Sequence, residues 1–154
     1  MSSVVVKDSS SAPVRGDIVA LVTEYVSTWG ARREPLGKVE WGIVSSLSGD
    51  QPAYLEGWVA YIDADAVGVV LAVSGPEDMV EMSRLFVCPK YRNRGVARAL
   101  LACFHEWAAA TGAQKTYLFV QTKRTDAKAL YYSLGYEDAV ITPREKFTEM
   151  VRVL

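Results

Sequence analysis

The stretch Tyr91-Arg92-Asn93-Arg94-Gly95-Val96-Ala97-Arg98 sets three arginines around one glycine and one alanine, in a chain whose 17 Lys and Arg and 18 Asp and Glu leave a formal net charge of -1. It follows a hydrophobic run closed by Cys88-Pro89 and precedes a run of helical periodicity. A helix starting near Gly95 would leave the amides of Asn93 through Ala97 pointing out of its N-terminus, where the aligned peptide dipoles add about half a positive charge. Gly95 has no side chain and Ala97 only a methyl, so phosphates could approach the backbone closely. Positive side chains at a helix N-terminus oppose the dipole and need a reason. A bound polyanion is one reading; a solvated basic patch is the other.

The remaining composition removes several competing chemistries. Cys88, Cys103 and the single histidine, His105, are too few for a four-ligand Cys/His zinc site, and no metal is expected. No GxSxG elbow accompanies a serine, and neither a GxxxxGKS/T phosphate loop nor a complete GxGxxG fingerprint occurs. Near-neutral overall charge argues against a nucleic-acid partner. The opening MSSVVVKDSSS has neither a basic leader nor a long apolar core, and no stretch reaches the roughly 20 apolar residues of a membrane span. The expectation is one domain over residues 1–154, cytoplasmic, with no membrane partner and a homodimer left open.

The elements that must position the basic turn can be read from periodicity. Val4 to Val6 reads as a first strand. Asp17 reads as an N-cap for a helix carrying Ile18, Leu21, Val22, Tyr25, Val26 and Trp29, stopped by Gly30. A second, shorter helix is expected through Leu36, Val39, Ile43, Val44 and Leu47. GWVAYI and VGVVLAV, separated by Asp63-Ala64-Asp65, read as antiparallel strands, with a third from Met79 to Val87 ended by Pro89. Strict alternation on that strand puts Glu81, Ser83, Leu85 and Val87 on one face and Met82, Arg84 and Phe86 on the other.

The longest helix carries the stripe Val96, Leu100, Leu101, Phe104 and Ala108 and stops at Gly112, with His105 on its shoulder. TYLFVQ is a strand, Ala127 to Leu134 a short helix, and two closing strands lie around Val140 and Val151. A buried helix between two strands predicts a crossover to a parallel neighbour, hence an α/β mixed sheet with helices on both faces. Cys88, Cys103 and His105 read as structural residues. Trp29, Trp41 and Trp58 read as core rather than as an acceptor box.

Two blocks carry a resemblance. The strand Glu81-Met82-Ser83-Arg84-Leu85-Phe86-Val87-Cys88-Pro89-Lys90-Tyr91 leads into Arg92-Asn93-Arg94-Gly95-Val96-Ala97, which has the form Q/R-x-x-G-x-G/A. About 30 residues on come Ala127, Leu130, Tyr131, Leu134, Gly135 and Tyr136, the form A-x-x-L-Y-x-x-L-G-F/Y. In this order and spacing they resemble the GNAT superfamily of acyl-CoA-dependent N-acyltransferases, most closely from about Val67 to Tyr136.

The resemblance implies a central mixed sheet of six to seven strands. It also implies acetyl-CoA as cosubstrate, its diphosphate on Arg92, Asn93, Arg94, Gly95, Val96, Ala97 and Arg98. The pantetheine arm would run beside Leu85, Phe86 and Val87, and the amide of Leu85 or Val87 would polarise the thioester carbonyl. Tyr131 is implied as the acid that protonates the departing thiolate, and Glu81 as the base that frees the attacking amine.

Where many members of that superfamily carry asparagine seven residues before the motif tyrosine, this chain has Arg124. Lys123 and Lys128 beside it read equally as phosphate contacts or as solvated surface. The implied activity is N-acetylation of a primary amine of a small or amino-acid-like acceptor. A protein or peptide amine as acceptor, and a non-catalytic acyl-CoA sensor, are the competing readings.

Overall fold

The computed structural model describes residues 3–27, 54–139 and 147–154. Its strands are β1 (Val5–Asp8), β2 (Tyr54–Ile62), β3 (Asp65–Ser74), β4 (Met79–Val87), β5 (Lys115–Gln121), β6 (Glu137–Asp138) and β7 (Phe147–Val153), and its helices α1 (Ala12–Ser27), α2 (Val96–Ala110) and α3 (Thr125–Ser133). The strands form one seven-stranded sheet in the order β1-β2-β3-β4-β5-β7-β6. Every neighbouring pair is antiparallel except β4 and β5, the pair joined through α2, which run parallel as the crossover argument requires. This is the mixed α/β sheet expected from sequence. Among the described residues no helix is long and apolar enough to cross a membrane.

Each face of the sheet buries its own cluster. On one, Val14, Ile18, Leu21 and Val22 of α1 pack on Val59, Val69, Leu71 and Phe86. On the other, α2 presents Val96, Leu100, Leu101 and Phe104 to Ala60, Val70, Met82 and Leu118, with Tyr131 and Tyr136 in the same cluster. Leu100, Leu101 and Phe104 are fully buried, each contributing about 1.5–3 kcal/mol relative to exposure. Trp58 belongs to this core, edge-on to both Phe104 and Trp107. Trp29, Trp41, Val140 and the expected second helix lie outside the described residues.

Three local expectations are corrected. Helix α1 begins at Ala12, not after Asp17, because Pro13 suits a first turn and the buried stripe already starts at Val14. Its first bond is Arg15 N–H to the Ser11 carbonyl, 3.1 Å. Asp17 lies inside the helix, accepting from the Tyr61 hydroxyl at 2.5 Å.

His105 is buried rather than on the helix shoulder, with Nε2 2.7 Å from the Tyr136 hydroxyl. Burial and then the Arg152 charge lower its pKa to about 4, so it is a neutral core residue at neutral pH.

The third correction bears on the site. Strand β4 does not alternate throughout. Ser83 pairs with Leu71 and Phe86 with Val69, so Val70 faces both Arg84 and Leu85 in a bulge. Arg84 takes φ 55° there. Met82 therefore points to the α2 side and Phe86 to the α1 side, whereas strict alternation had put them together. Glu81 and Phe86 share the α1 face; Leu85 and Val87 pack toward the α2 cluster.

Candidate active site

The parallel ladder between β4 and β5 is short. It pairs Met79 with Lys115, Val80 with Thr116 and Glu81 with Tyr117, and goes no further. Beyond Glu81 the two strands separate, so the β4 edge from Met82 to Val87 has no β5 partner. The bulge sits on this segment, freeing the backbone around Arg84 and Leu85 from regular pairing with β3. An extended amide-bearing chain could add to this edge as a short strand.

At the far end of β4 a 3-10 turn, Pro89–Tyr91, leads into the basic stretch. Asn93 and Gly95 have φ of 62° and 80°, both left-handed, whereas Arg94 between them does not. Such alternation turns successive amides to one side, forming a nest for an anion. The first bond of α2 runs from Ala99 N–H to the Gly95 carbonyl at 3.0 Å, leaving the amides of Val96, Ala97 and Arg98 at the open end.

Among the described residues no side chain caps this end and no acid stands in the first turn; the nearest carboxylates, Asp63 and Asp65, line the pocket beside Asn93 and Arg94, with Asp65 accepting from the Tyr91 hydroxyl at 3.4 Å. A Cβ built on Gly95 would meet nothing within 4 Å. The space beside the amides is open, as a diphosphate requires, and the residues present fit that group.

The arginines are held rather than loose. Arg92 Nε donates to the Val87 carbonyl at 3.0 Å, which occupies one acceptor on the strand expected to meet the pantetheine arm. Arg94 lies over the Tyr91 ring, 5.4 Å from its centroid. Arg98 donates to Ser133 Oγ at 3.0 Å, tying the start of α2 to the end of α3.

Tyr131 is the buried residue of α3, and the end of that helix explains its position. Gly135 at φ 90° closes the helix: its own amide bonds the Tyr132 carbonyl at 3.1 Å, and the Tyr136 amide bonds the Tyr131 carbonyl at 3.0 Å. The Tyr136 ring then meets Tyr131 edge-on at 5.8 Å, while its hydroxyl is anchored by His105. Burial raises the pKa of both phenols, that of Tyr136 to about 12. Tyr25, Tyr136 and Asp126 raise that of Tyr131 further, while the Arg124 charge works the other way. Tyr131 therefore remains a protonated phenol at neutral pH, as an acid must.

Glu81 is half-buried at the last rung of the parallel ladder. Burial raises its pKa above the usual carboxylate range; a hydrogen bond from Tyr117 and the charge of Arg84 work the other way, and Glu149 raises it further. Tyr117 is pushed up to about 12 by burial and then by Glu81. A carboxylate with its pKa moved toward neutrality is suited to accepting a proton from an amine.

Of the residues singled out from sequence, the fold brings Arg92 through Arg98 to one turn and Leu85 through Val87 to the open edge. Glu81 stands at the root of the gap. Tyr25, Tyr117 and Glu149 were not anticipated. Tyr25 stacks on Phe86 at 5.3 Å and shares an electrostatic neighbourhood with Tyr131 and Arg124. Arg124 itself is turned into a two-pronged bond to Asp126, 3.1 and 3.2 Å. The thiols of Cys88 and Cys103 are raised chiefly by burial, which disfavours the thiolate and a nucleophilic role.

With this geometry in view, comparison with known proteins defines the class. A model of the acetyltransferase (GNAT) family matches residues 19–136. The chain belongs to this family and carries an acyltransferase domain. It is 35% identical to human N-acetylaspartate synthetase over 80 residues, 51% of this chain and 26% of that protein. To human N-acetyltransferase 8 it is 27% identical over 131 residues, 78% of this chain and 58% of that one. It thus spans less than two thirds of the length of either.

Two solved structures share the fold. The PaiA N-acetyltransferase of Thermoplasma acidophilum, in complex with coenzyme A, has a TM-score of 0.73 at 17% identity, covering 99% of both chains. An acetyltransferase of Streptococcus agalactiae has a TM-score of 0.74 at 18% identity, covering 98% of both.

Proposed function

We propose that this chain is an acetyl-CoA-dependent N-acetyltransferase that modifies a primary amine of a small or amino-acid-like acceptor by direct attack in a ternary complex, working in the cytoplasm. The observation that carries the reading is the end of the parallel ladder at Glu81–Tyr117, level with a half-buried carboxylate and followed on the same strand by an uncapped, glycine-led helix start. Family membership and the coenzyme A bound to the Thermoplasma acidophilum protein support it.

Acetyl-CoA would supply the activated acyl group. Asn93 through Arg98 would bind its diphosphate through main-chain amides, with Arg92, Arg94 and Arg98 adding charge, and the β4 edge at Leu85 to Val87 would align the pantetheine arm. An amine with pKa near 10 arrives as ammonium. Glu81 takes the proton that must leave before nitrogen can attack the thioester carbon, directly or through one water. As the C–N bond forms and the C–S bond breaks, Tyr131 gives its proton to sulfur, and the second proton leaving the attacking nitrogen passes to the tyrosinate directly or through water, so that the products are the neutral amide and the thiol. A main-chain amide of β4, that of Leu85 in the bulge or that of Val87, polarises the carbonyl.

The test is release of free thiol from acetyl-CoA across a panel of amines, amino acids and peptides. Turnover with small amines supports the reading. Turnover confined to peptides would move the acceptor to a protein, and coenzyme binding without turnover on any amine would make the chain a sensor.

The pH profile gives a second check. The base must be ionised, so the rate rises with pH through the upward-shifted pKa of Glu81. Glu81→Gln should lower kcat/KM by about a hundredfold and abolish that acid limb. An unchanged limb would remove Glu81 as the base.

A further inference from the structure

We propose that Glu149 selects the acceptor, and that the preferred amine carries a second cationic group which pairs with Glu149 while its primary amine faces Glu81. This rests on the acetyltransferase reading above and deepens it, narrowing the acceptor to small amines without a carboxylate at the far end.

The placement follows from register. Glu81 pairs with Tyr117 across the last rung of β4–β5, and Glu149 of β7 pairs with Phe119, two residues further along β5. Val80, Met82, Leu118, Val120 and Met150 fill the α2 side of these strands, so Glu81, Tyr117, Phe119 and Glu149 alternate onto the opposite face. Toward the end of β5 where the gap opens, that face carries an aromatic wall and a carboxylate. Tyr117 and Phe119 meet edge-on at 5.9 Å, and Phe119 remains 44% exposed.

The charges around the two glutamates differ. Glu81 has the Tyr117 hydroxyl and the Arg84 charge acting on it. Among the described residues no cation pairs with Glu149, whose negative charge is felt instead by Glu81 and Tyr117. Two strand spacings of about 4.8 Å and an offset of two residues at about 3.3 Å each put roughly 12 Å between the Glu81 and Glu149 backbones. A chain of a few methylenes bridges side chains at that separation, its carbons against Phe119. An acceptor ending in a carboxylate would bring like charge to Glu149, a juxtaposition that suppresses wrong partners.

Three acceptors of equal length make the test: 1,5-diaminopentane, pentylamine and 5-aminopentanoate, assayed with acetyl-CoA by thiol release. The expected order of kcat/KM is diamine above monoamine by tenfold or more, with the aminocarboxylate lowest. Glu149→Gln should bring diamine and monoamine within about twofold of each other by raising KM for the diamine, and, with one carboxylate fewer near Glu81, should move the acid limb of the pH profile to lower pH. Glu149→Lys should raise the rate with 5-aminopentanoate.

Equal rates for diamine and monoamine in the unaltered protein, or a preference that survives Glu149→Gln, would overturn the proposal. So would turnover of other amines but none of these three, which leaves the acetyltransferase reading standing. No turnover on any amine would overturn both.

Discussion

Tyr131→Phe lowers kcat by about a hundredfold, the range expected when a positioned proton donor is removed, and leaves the dissociation constant for coenzyme A nearly unchanged. The substitution deletes one oxygen and keeps the ring, so the edge contact with Tyr136 and the glycine-closed end of α3 persist. The fold should be undisturbed, because the hydroxyl removed is one whose ionisation burial already suppresses. A thiolate leaving without a proton is the poorer leaving group, and the loss therefore appears in kcat and not in binding. Steady-state kinetics with calorimetry on the same variant check both halves; full turnover with phenylalanine would take Tyr131 out of the mechanism.

Gly95→Asp should separate stability from binding. Aspartate is favoured at helix N-termini, is tolerated in the left-handed region and complements the dipole. The site has room for its Cβ, with nothing within 4 Å. Left-handed strain and dipole gain offset each other, and the thermal midpoint should move by less than the equivalent of about 1 kcal/mol. Coenzyme A affinity should nevertheless fall about a hundredfold, or about 2.7 kcal/mol, because the new carboxylate occupies and repels where the diphosphate belongs. Calorimetric titration and thermal denaturation of the one variant measure the two quantities. An affinity preserved alongside a stable fold would mean that the anion does not sit at this helix end.

The parts legible in the sequence are those fixed by short-range rules. Strand β4 is bounded as expected because Pro89 stops it on one side and Ser74-Gly75-Pro76 break the chain before the other. The stripe of α2 is read correctly from its period, and its start near Gly95 from the break in apolar spacing, whereas the left-handed φ at Gly95 is visible only in the structure. The bulge was not legible, because a non-glycine residue, Arg84, takes the positive φ and nothing in the local pattern marks it. That one extra residue moved Phe86 to the face opposite Met82.

Tyr117 and Glu149 escaped notice for a different reason. Their nearness to Glu81 depends on the register of three strands far apart in sequence, which alternation within any one strand cannot report. Asp17 shows a local rule losing to packing: its side chain suits a cap, but the apolar stripe beginning at Val14 extends the helix past it.

In the proposed mechanism the main-chain amides of Asn93 through Arg98 grip the diphosphate of coenzyme A. Amide hydrogen exchange, with and without saturating coenzyme A, addresses those atoms one by one. Exchange across residues 93–98 should slow at least tenfold on binding, most at Gly95 to Ala97. Unchanged exchange in that turn, with calorimetry showing the ligand bound, would contradict it.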